Sequence, residues 1–274
     1  MKKQNRQPLL ILAAGLVVIA MGAVVAFLFL GNDDDDNGPS TVSGALREKT
    51  PSASTRGTTG GPEPVVTMAT SKASLLLGEL PENYEVDVSQ TFIMTVSTFT
   101  SSYWFTNNKE GEEKSAEWKI VDGYQAYFQP KGLVAEVLQG SPYVHVETYQ
   151  FATVDGAKAA WDYFDGFLSR TPGSEAVEAK PLANESSAYR YIEGTVSVSE
   201  DLAVYHRFSF RRGNMIVTVV TWGAESYMNI DPARNVAATI DEKLLGTRPA
   251  VEPTPIPTPS FPGLGNYERM IAGR

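Results

Sequence analysis

Twenty-two consecutive residues, Leu9 to Leu30, carry no charge and no strongly polar side chain. At about 1.5 Å of rise per residue they span roughly 33 Å as a helix, slightly more than the ~30 Å hydrocarbon core of a bilayer. A cleaved leader would have a shorter apolar core and a small-residue site after it. Here Gly31-Asn32-Asp33 follows, and the absence of cysteine excludes a lipid-modified leader. The run predicts an uncleaved transmembrane helix at 9–30, preceded by a short N-terminus at 1–8. Lys2, Lys3 and Arg6 lie before it and Asp33–Asp36 after it. Basic flanks are retained in the cytoplasm, so the prediction is N-terminus inside and all that follows extracytoplasmic, at the cell membrane.

Residues 31–71 are rich in Gly, Ser, Thr, Pro and Asp, and are predicted to form a disordered linker. Four consecutive aspartates lack the alternate spacing of a calcium loop, so Asp33–Asp36 reads as a solvated charge run. From residue 248 on, Pro249, Pro253, Pro255, Pro257, Pro259 and Pro262 predict a proline-rich tail of extended conformation. A chain without cysteine has no disulfides, which tilts the odds towards a bacterial envelope protein.

The span 72–247 is left for one folded domain. A short helix at Ser71–Leu77, ended by Gly78 and Pro81, opens it. Thr91–Phe105 suits a strand or a helix, Lys109–Trp118 a helix and Tyr124–Gln129 a strand. Tyr143–Phe151 reads as a strand. In Val154–Ser169, Val154, Ala157, Trp161, Phe164 and Leu168 form one apolar stripe, with Lys158 and Asp162 able to pair on the wet side. Strands follow at Ala188–Val198, Leu202–Arg211 and Met215–Trp222, the last two joined by Gly213-Asn214 in a type II′ hairpin. Asp231-Pro232 starts a closing helix with Asp231 as N-cap, Ala233, Val236, Ala237, Ile240 and Leu244 as its buried face, and Gly246 as its stop. The predicted class is α+β, a mainly antiparallel sheet with helices packed on one face.

Leu80-Pro81, Trp118 with Gly123-Tyr124, Phe210-Arg211 with Gly213-Asn214, and the Asp231-Pro232 helix resemble features of uncharacterised bacterial single-pass membrane-anchored envelope proteins. The resemblance covers about 170 residues. It implies a location and a fold type, and no activity.

Chemistry-bearing residues are few. His206 alternates with Leu202, Val204, Phe208 and Phe210, as a hydrogen-bonded core histidine would. His145 shares a strand face with Tyr143, Glu147 and Tyr149. The pair His145–Glu147 could supply two metal ligands or an acid–base pair, or form part of an ordinary polar sheet face; zinc needs more ligands than the spacing provides. No Gly-x-Ser-x-Gly elbow is present, and Gly263-Leu264-Gly265 stands in the tail, away from any strand–helix turn. Asp162 and Asp165 read as a solvated helix face. From Lys72 to Thr247 the chain has 14 basic and 24 acidic residues, a net of −10, which disfavours nucleic acid. Arg207, Arg211 and Arg212 form a small patch of the kind that solubilises a strand edge. Tyr103-Trp104-Phe105 is contiguous, so in a regular conformation at least one ring points away from the core, free to stack on a sugar, a partner or lipid, unless the cluster closes one end of the core.

These features predict a non-enzymatic, membrane-tethered binding or sensing module that uses no metal or cofactor. Its candidate binding residues are Tyr103, Trp104, Phe105, Tyr143, His145, Glu147 and Tyr149, and its partners the bilayer and an unidentified envelope protein or ligand. An envelope hydrolase using carboxylates or His145–Glu147, and a structural subunit of a membrane complex, remain as alternatives.

Overall fold

A computed structural model describes residues 56–132, 139–196 and 200–249. The predicted anchor at 9–30, the aspartate run and nearly all of the proline-rich tail lie outside the described residues. Among those described, no helix is long and apolar enough to cross a membrane.

Eight strands build one antiparallel sheet: β1 (Tyr84–Val86), β2 (Phe92–Met94), β3 (Ile120–Pro130), β4 (Tyr143–Phe151), β5 (Glu175–Ala176), β6 (Glu185–Thr195), β7 (Leu202–Arg212) and β8 (Met215–Ala224). Their order is β1-β3-β4-β8-β7-β6-β5, with β2 also paired to β3. The helices are α1 (Thr70–Ala73), α2 (Val96–Thr100), α3 (Asn108–Trp118), α4 (Val154–Arg170) and α5 (Asp231–Leu244), with short 3₁₀ turns at Leu77–Glu79 and Glu225–Tyr227.

Side chains alternate across a strand, so the register assigns every residue to one of two faces. Val144, Val146, Phe208, Phe210, Met215, Val217 and Val219 point to one face, where Ala73, Ala233, Ala237, Ile240 and Leu244 of α1 and α5 cover them. Tyr149, Phe151, Tyr189 and Ile216 point to the other, under Ala157, Ala160, Trp161 and Phe164 of α4. The prediction of helices on one face is thus corrected: both faces are covered. β7 and β8 are buried along almost their whole length, as strands between two layers must be.

Local chemistry accounts for the helix ends and the hairpin. Thr153 caps α4 by accepting from Gly156 N at 3.0 Å, and Asn107 caps α3 by accepting from Glu110 N. Gly213 has φ +55°, as the first position of a II′ turn requires, and a Cβ there would lie 1.7 Å from Pro64 O. Only glycine fits both demands. Asp231 is the first residue of α5 rather than its N-cap; Ile230 occupies the cap, and Asn229 Oδ1 accepts from Asp231 N at 2.8 Å. The Asp231 charge still favours the helix through the N-terminal dipole. Gly246, φ +69°, ends the helix.

Three further expectations change. The helix predicted at Ser71–Leu77 is the single turn α1, followed by a separate 3₁₀ turn that contains Gly78. Thr91–Phe105 holds both a strand and a helix, β2 then α2. Residues 56–71, assigned to the linker, lie on the domain: Gly57 bridges to Ser186, and Val66 joins the main core. Polar backbone contacts hold this segment, so its poverty in apolar residues was no guide.

Candidate functional site

On the α4 face, the register sets side chains from four strands in rows. The outermost aromatic row is Tyr143, Trp222, Tyr205 and Tyr191, from β4, β8, β7 and β6 in turn. Their rings stack: Tyr143 on Trp222 at 4.0 Å and 2°, Tyr191 on Tyr205 at 4.7 Å and 4°, and Tyr205 near Trp222 at 5.6 Å. Trp222 Nε1 donates to Tyr127 Oη at 3.0 Å, fixing the indole in the stack. α4 and its aromatic companions cover the other end of this face, and Tyr143, His145, Tyr191 and Trp222 stay partly open.

The next rows inward hold His145 and Arg207, then Glu147. Tyr103 closes over them from the turn after α2. Its hydroxyl donates to Glu147 Oε2 at 2.7 Å and accepts from Arg207 Nη1 at 2.9 Å, a relay between cation and carboxylate. Burial raises the Tyr103 hydroxyl well above its ordinary range, so it keeps the proton this relay needs. Arg207 lies against the faces of Tyr103 and Trp104, 5.4 Å from each ring centre. Burial alone would pull its pKa down, but Tyr103, Tyr191 and Glu147 more than offset this, and it stays a cation. His145 Nε2 stands 3.7 Å from Glu147 Oε1, beyond hydrogen-bonding reach. Burial lowers the His145 pKa, against the pull of Glu147, so the ring is neutral near pH 7.

Two nitrogens in this cluster, Arg207 Nε and His145 Nε2, are buried with no hydrogen-bond partner. Buried polar atoms are almost always hydrogen-bonded, so both stand out. Among the described residues, no carboxylate lies within ion-pair distance of Arg207, which is 9 % exposed.

The predicted binding residues fall into two groups. Tyr103, His145 and Glu147 meet in the cluster, and Tyr143 stands in the ring row beside it. Trp104 Nε1 donates to Tyr149 Oη at 3.0 Å, so both rings wall the cluster from behind. Phe105 does not join them; it packs at 5.3 Å on Phe99 and at 6.0 Å on Trp118. Of the two readings of Tyr103-Trp104-Phe105, closing one end of the core holds: irregular turns bury Trp104 and Phe105 and lay the partly buried Tyr103 against them. Arg207, Tyr127, Tyr191, Tyr205 and Trp222 were missed. They were present on four predicted strands, but strand order was needed to align them.

The arginine patch is also corrected. β7 is an interior strand, and Arg207, Arg211 and Arg212 are buried. Arg211 pairs with Glu185 at 2.5 Å and Glu63 at 2.6 Å, and Arg212 grips Asp241 through two bonds of 2.8 Å. Lys158 and Asp162 pair with Glu63 and Arg56 respectively, instead of with each other. Asp165 accepts from Tyr189 Oη at 2.9 Å. His206 is buried on the opposite face, as predicted, yet its Nδ1 has no partner. Burial, helped by Arg190, lowers its pKa to about 4. A cleft of about 590 Å³ opens at the hairpin end, lined by Arg56, Thr58, Glu63, Asn184, Glu185 and Arg211.

No protein-family model matches the chain, and no curated protein matches it. Among solved structures the chain is similar to the extracellular domain of PknH from Mycobacterium tuberculosis, with 15 % identity and a TM-score of 0.34. That match covers 69 % of this chain and 100 % of the other. A likeness at that TM-score says nothing about what this chain binds.

Proposed function

We propose that this chain is a membrane-tethered extracytoplasmic module that binds or senses a small ligand without turning it over. The observation that supports the reading is the cluster beneath Tyr103, where a permanent cation and a neutral histidine each leave a buried nitrogen unpartnered. A ligand that offers an acceptor oxygen to Arg207 Nε would supply the missing bond, and its flat or apolar part would meet the row Tyr143–Trp222–Tyr205–Tyr191. Bonds to a charged donor are the stronger kind, and the low-dielectric surroundings strengthen them further. Residues 9–30 would hold the module at the bilayer, and the acidic balance of the domain argues against nucleic acid as a partner.

The test is a titration of the full chain in detergent with small carboxylates, some ring-bearing and some not, following the melting temperature. Binding to the native state raises it with concentration. At least one ring-bearing carboxylate should stabilise the wild type and leave Arg207→Met unmoved. No response to any of them, or an equal response in the variant, removes the cluster as the site; release of product would point instead to the hydrolase built on His145–Glu147. Orientation is tested separately. A reporter active only outside the cytoplasm, fused after Thr247, should work, and silence there would move the domain to the other side.

A further inference from the structure

Residues 56–65 cross the hairpin end as an extended strap, and polar contacts hold them there. Gly57 and Ser186 exchange two backbone bonds of 2.9 Å, and Thr59 N donates to Ala183 O at 3.2 Å. Arg56 pairs with Asp162 at 2.9 Å and also with Glu185. Glu63 pairs with Arg211 at 2.6 Å and with Lys158 at 3.0 Å. Asn184 Nδ2 donates to the carbonyls of Gly61 and Pro62, and Arg212 Nη1 to the latter as well. None of these ten residues belongs to the buried apolar core; Val66 is the first that does, and Val65 is 64 % exposed. The cleft of about 590 Å³ lies between strap and body, so their close contact is confined to points such as Gly57 on Pro181 and Pro64 O on Gly213.

The buried residues of the body that hold the strap each keep another partner without it. Arg211 keeps Glu185 and Gly213 O, Arg212 keeps both oxygens of Asp241, and Asn184 Oδ1 keeps Gly213 N. Removal of the strap therefore leaves no charge of the body buried and unpaired, which is the costly event when an ion pair is broken. On the strap side the pairs are partly exposed, and such pairs are weak and sensitive to salt.

We infer that the strap is a detachable ionic clamp: residues 56–65 leave the folded domain together, pivoting at Val66, and rebind to it. Release adds ten residues to the chain ahead of the domain, at most about 35 Å of reach. It exposes the β6 edge at Ser186 and opens the cleft. Salt drives release by screening, and acid does so through Glu63. The charged groups that face Glu63 are Arg211 from β7 and Lys158 from α4, with Glu185 of β6 sharing Arg211 and with Arg56 and Arg212 close by. Arg211, then Lys158, hold the Glu63 carboxyl below its ordinary range, so its contribution is present above that range and lost as the pH falls through the depressed value.

Amide exchange on the full chain in detergent, read by mass spectrometry on peptides covering 56–65 and 143–151, tests this. Between about 0.05 M and about 1 M salt, strap peptides should exchange at least about tenfold faster while the β4 peptide is unchanged. Glu63→Gln combined with Asp162→Asn should bring the fast exchange to low salt. If the strap exchanges only when β4 does, or ignores salt in the wild type, it is a fixed part of the fold and the clamp is wrong. The wild-type salt series decides between these outcomes even if the double variant folds poorly.

Discussion

Arg207 and the Arg211–Arg212 pair stand within six residues of each other on β7, but at opposite ends of a gradient in electrostatic completion. At the hairpin end Arg211 meets two carboxylates and Arg212 grips a third in bidentate fashion. Further along, Arg207 reaches Glu147 only through the hydroxyl of Tyr103, and its Nε has no partner. Burial is similar for all three. The fold can plainly supply carboxylates to buried arginines, from segments as remote as Glu63 and Asp241. The one it leaves incompletely answered lies beside a partly open row of rings, where the ligand site is proposed.

Four measurements put this contrast at risk. Asp241→Ala strands Arg212 as an uncompensated buried charge and should cost about 3–5 kcal/mol in urea denaturation. A loss under about 1 kcal/mol would mean that the hairpin-end pairs are less complete than their geometry suggests.

The second concerns His206, the other buried cation-in-waiting. Its native pKa of about 4 lies below the ordinary 6.5, so only the unfolded chain takes up a proton between those values. Stability should therefore fall as the pH drops from about 6.5 towards 4, and His206→Leu should flatten that part of the profile. An unchanged profile would show that other groups govern acid unfolding; His145 and Glu63 both act in the same direction.

Third, Lys158→Ala removes an exposed partner of Glu63 and should cost only about 0.2–1 kcal/mol, lost altogether at high salt. The smallest effect is expected at the open end. Arg207→Met together with Glu147→Gln removes both buried charges in near-isosteric form and should leave the denaturation midpoint unchanged or slightly raised. A large loss there would make the cluster structural and erase the distinction between the two ends.

Much of the scaffold was legible in the residues. The 2-residue alternation of Tyr143–Phe151, the glycine of the hairpin and the stripe through Trp161 and Phe164 encode local geometry, which short-range rules capture. Cover on both faces was also written in the sequence, in Met215–Trp222, apolar at every position but Thr218 and Thr221, although the alternation of neighbouring strands obscured it. What could not be read was pairing across distance. Nothing in the spacing of Arg211 and Arg212 names Glu63, Glu185 or Asp241 as partners, and solubilising charge and buried ion pair look identical in one dimension. The site was half visible for the same reason. His145 and Glu147 share a face by strand periodicity, whereas Arg207 comes to them only once β8 is laid between β4 and β7.

The stack of Trp222 between Tyr143 and Tyr205 has an optical consequence. Aromatic chromophores held face to face at 4.0 Å and 2° are coupled and locked in a chiral arrangement, which gives near-ultraviolet circular dichroism its intensity. Trp104, Trp118 and Trp161 are each only 1 % exposed, so Trp222 is the tryptophan whose light emission answers to solvent and to quenching at this end of the sheet. The protein thus carries its own spectroscopic probe beside the proposed site, and occupancy there can be followed on the unlabelled chain.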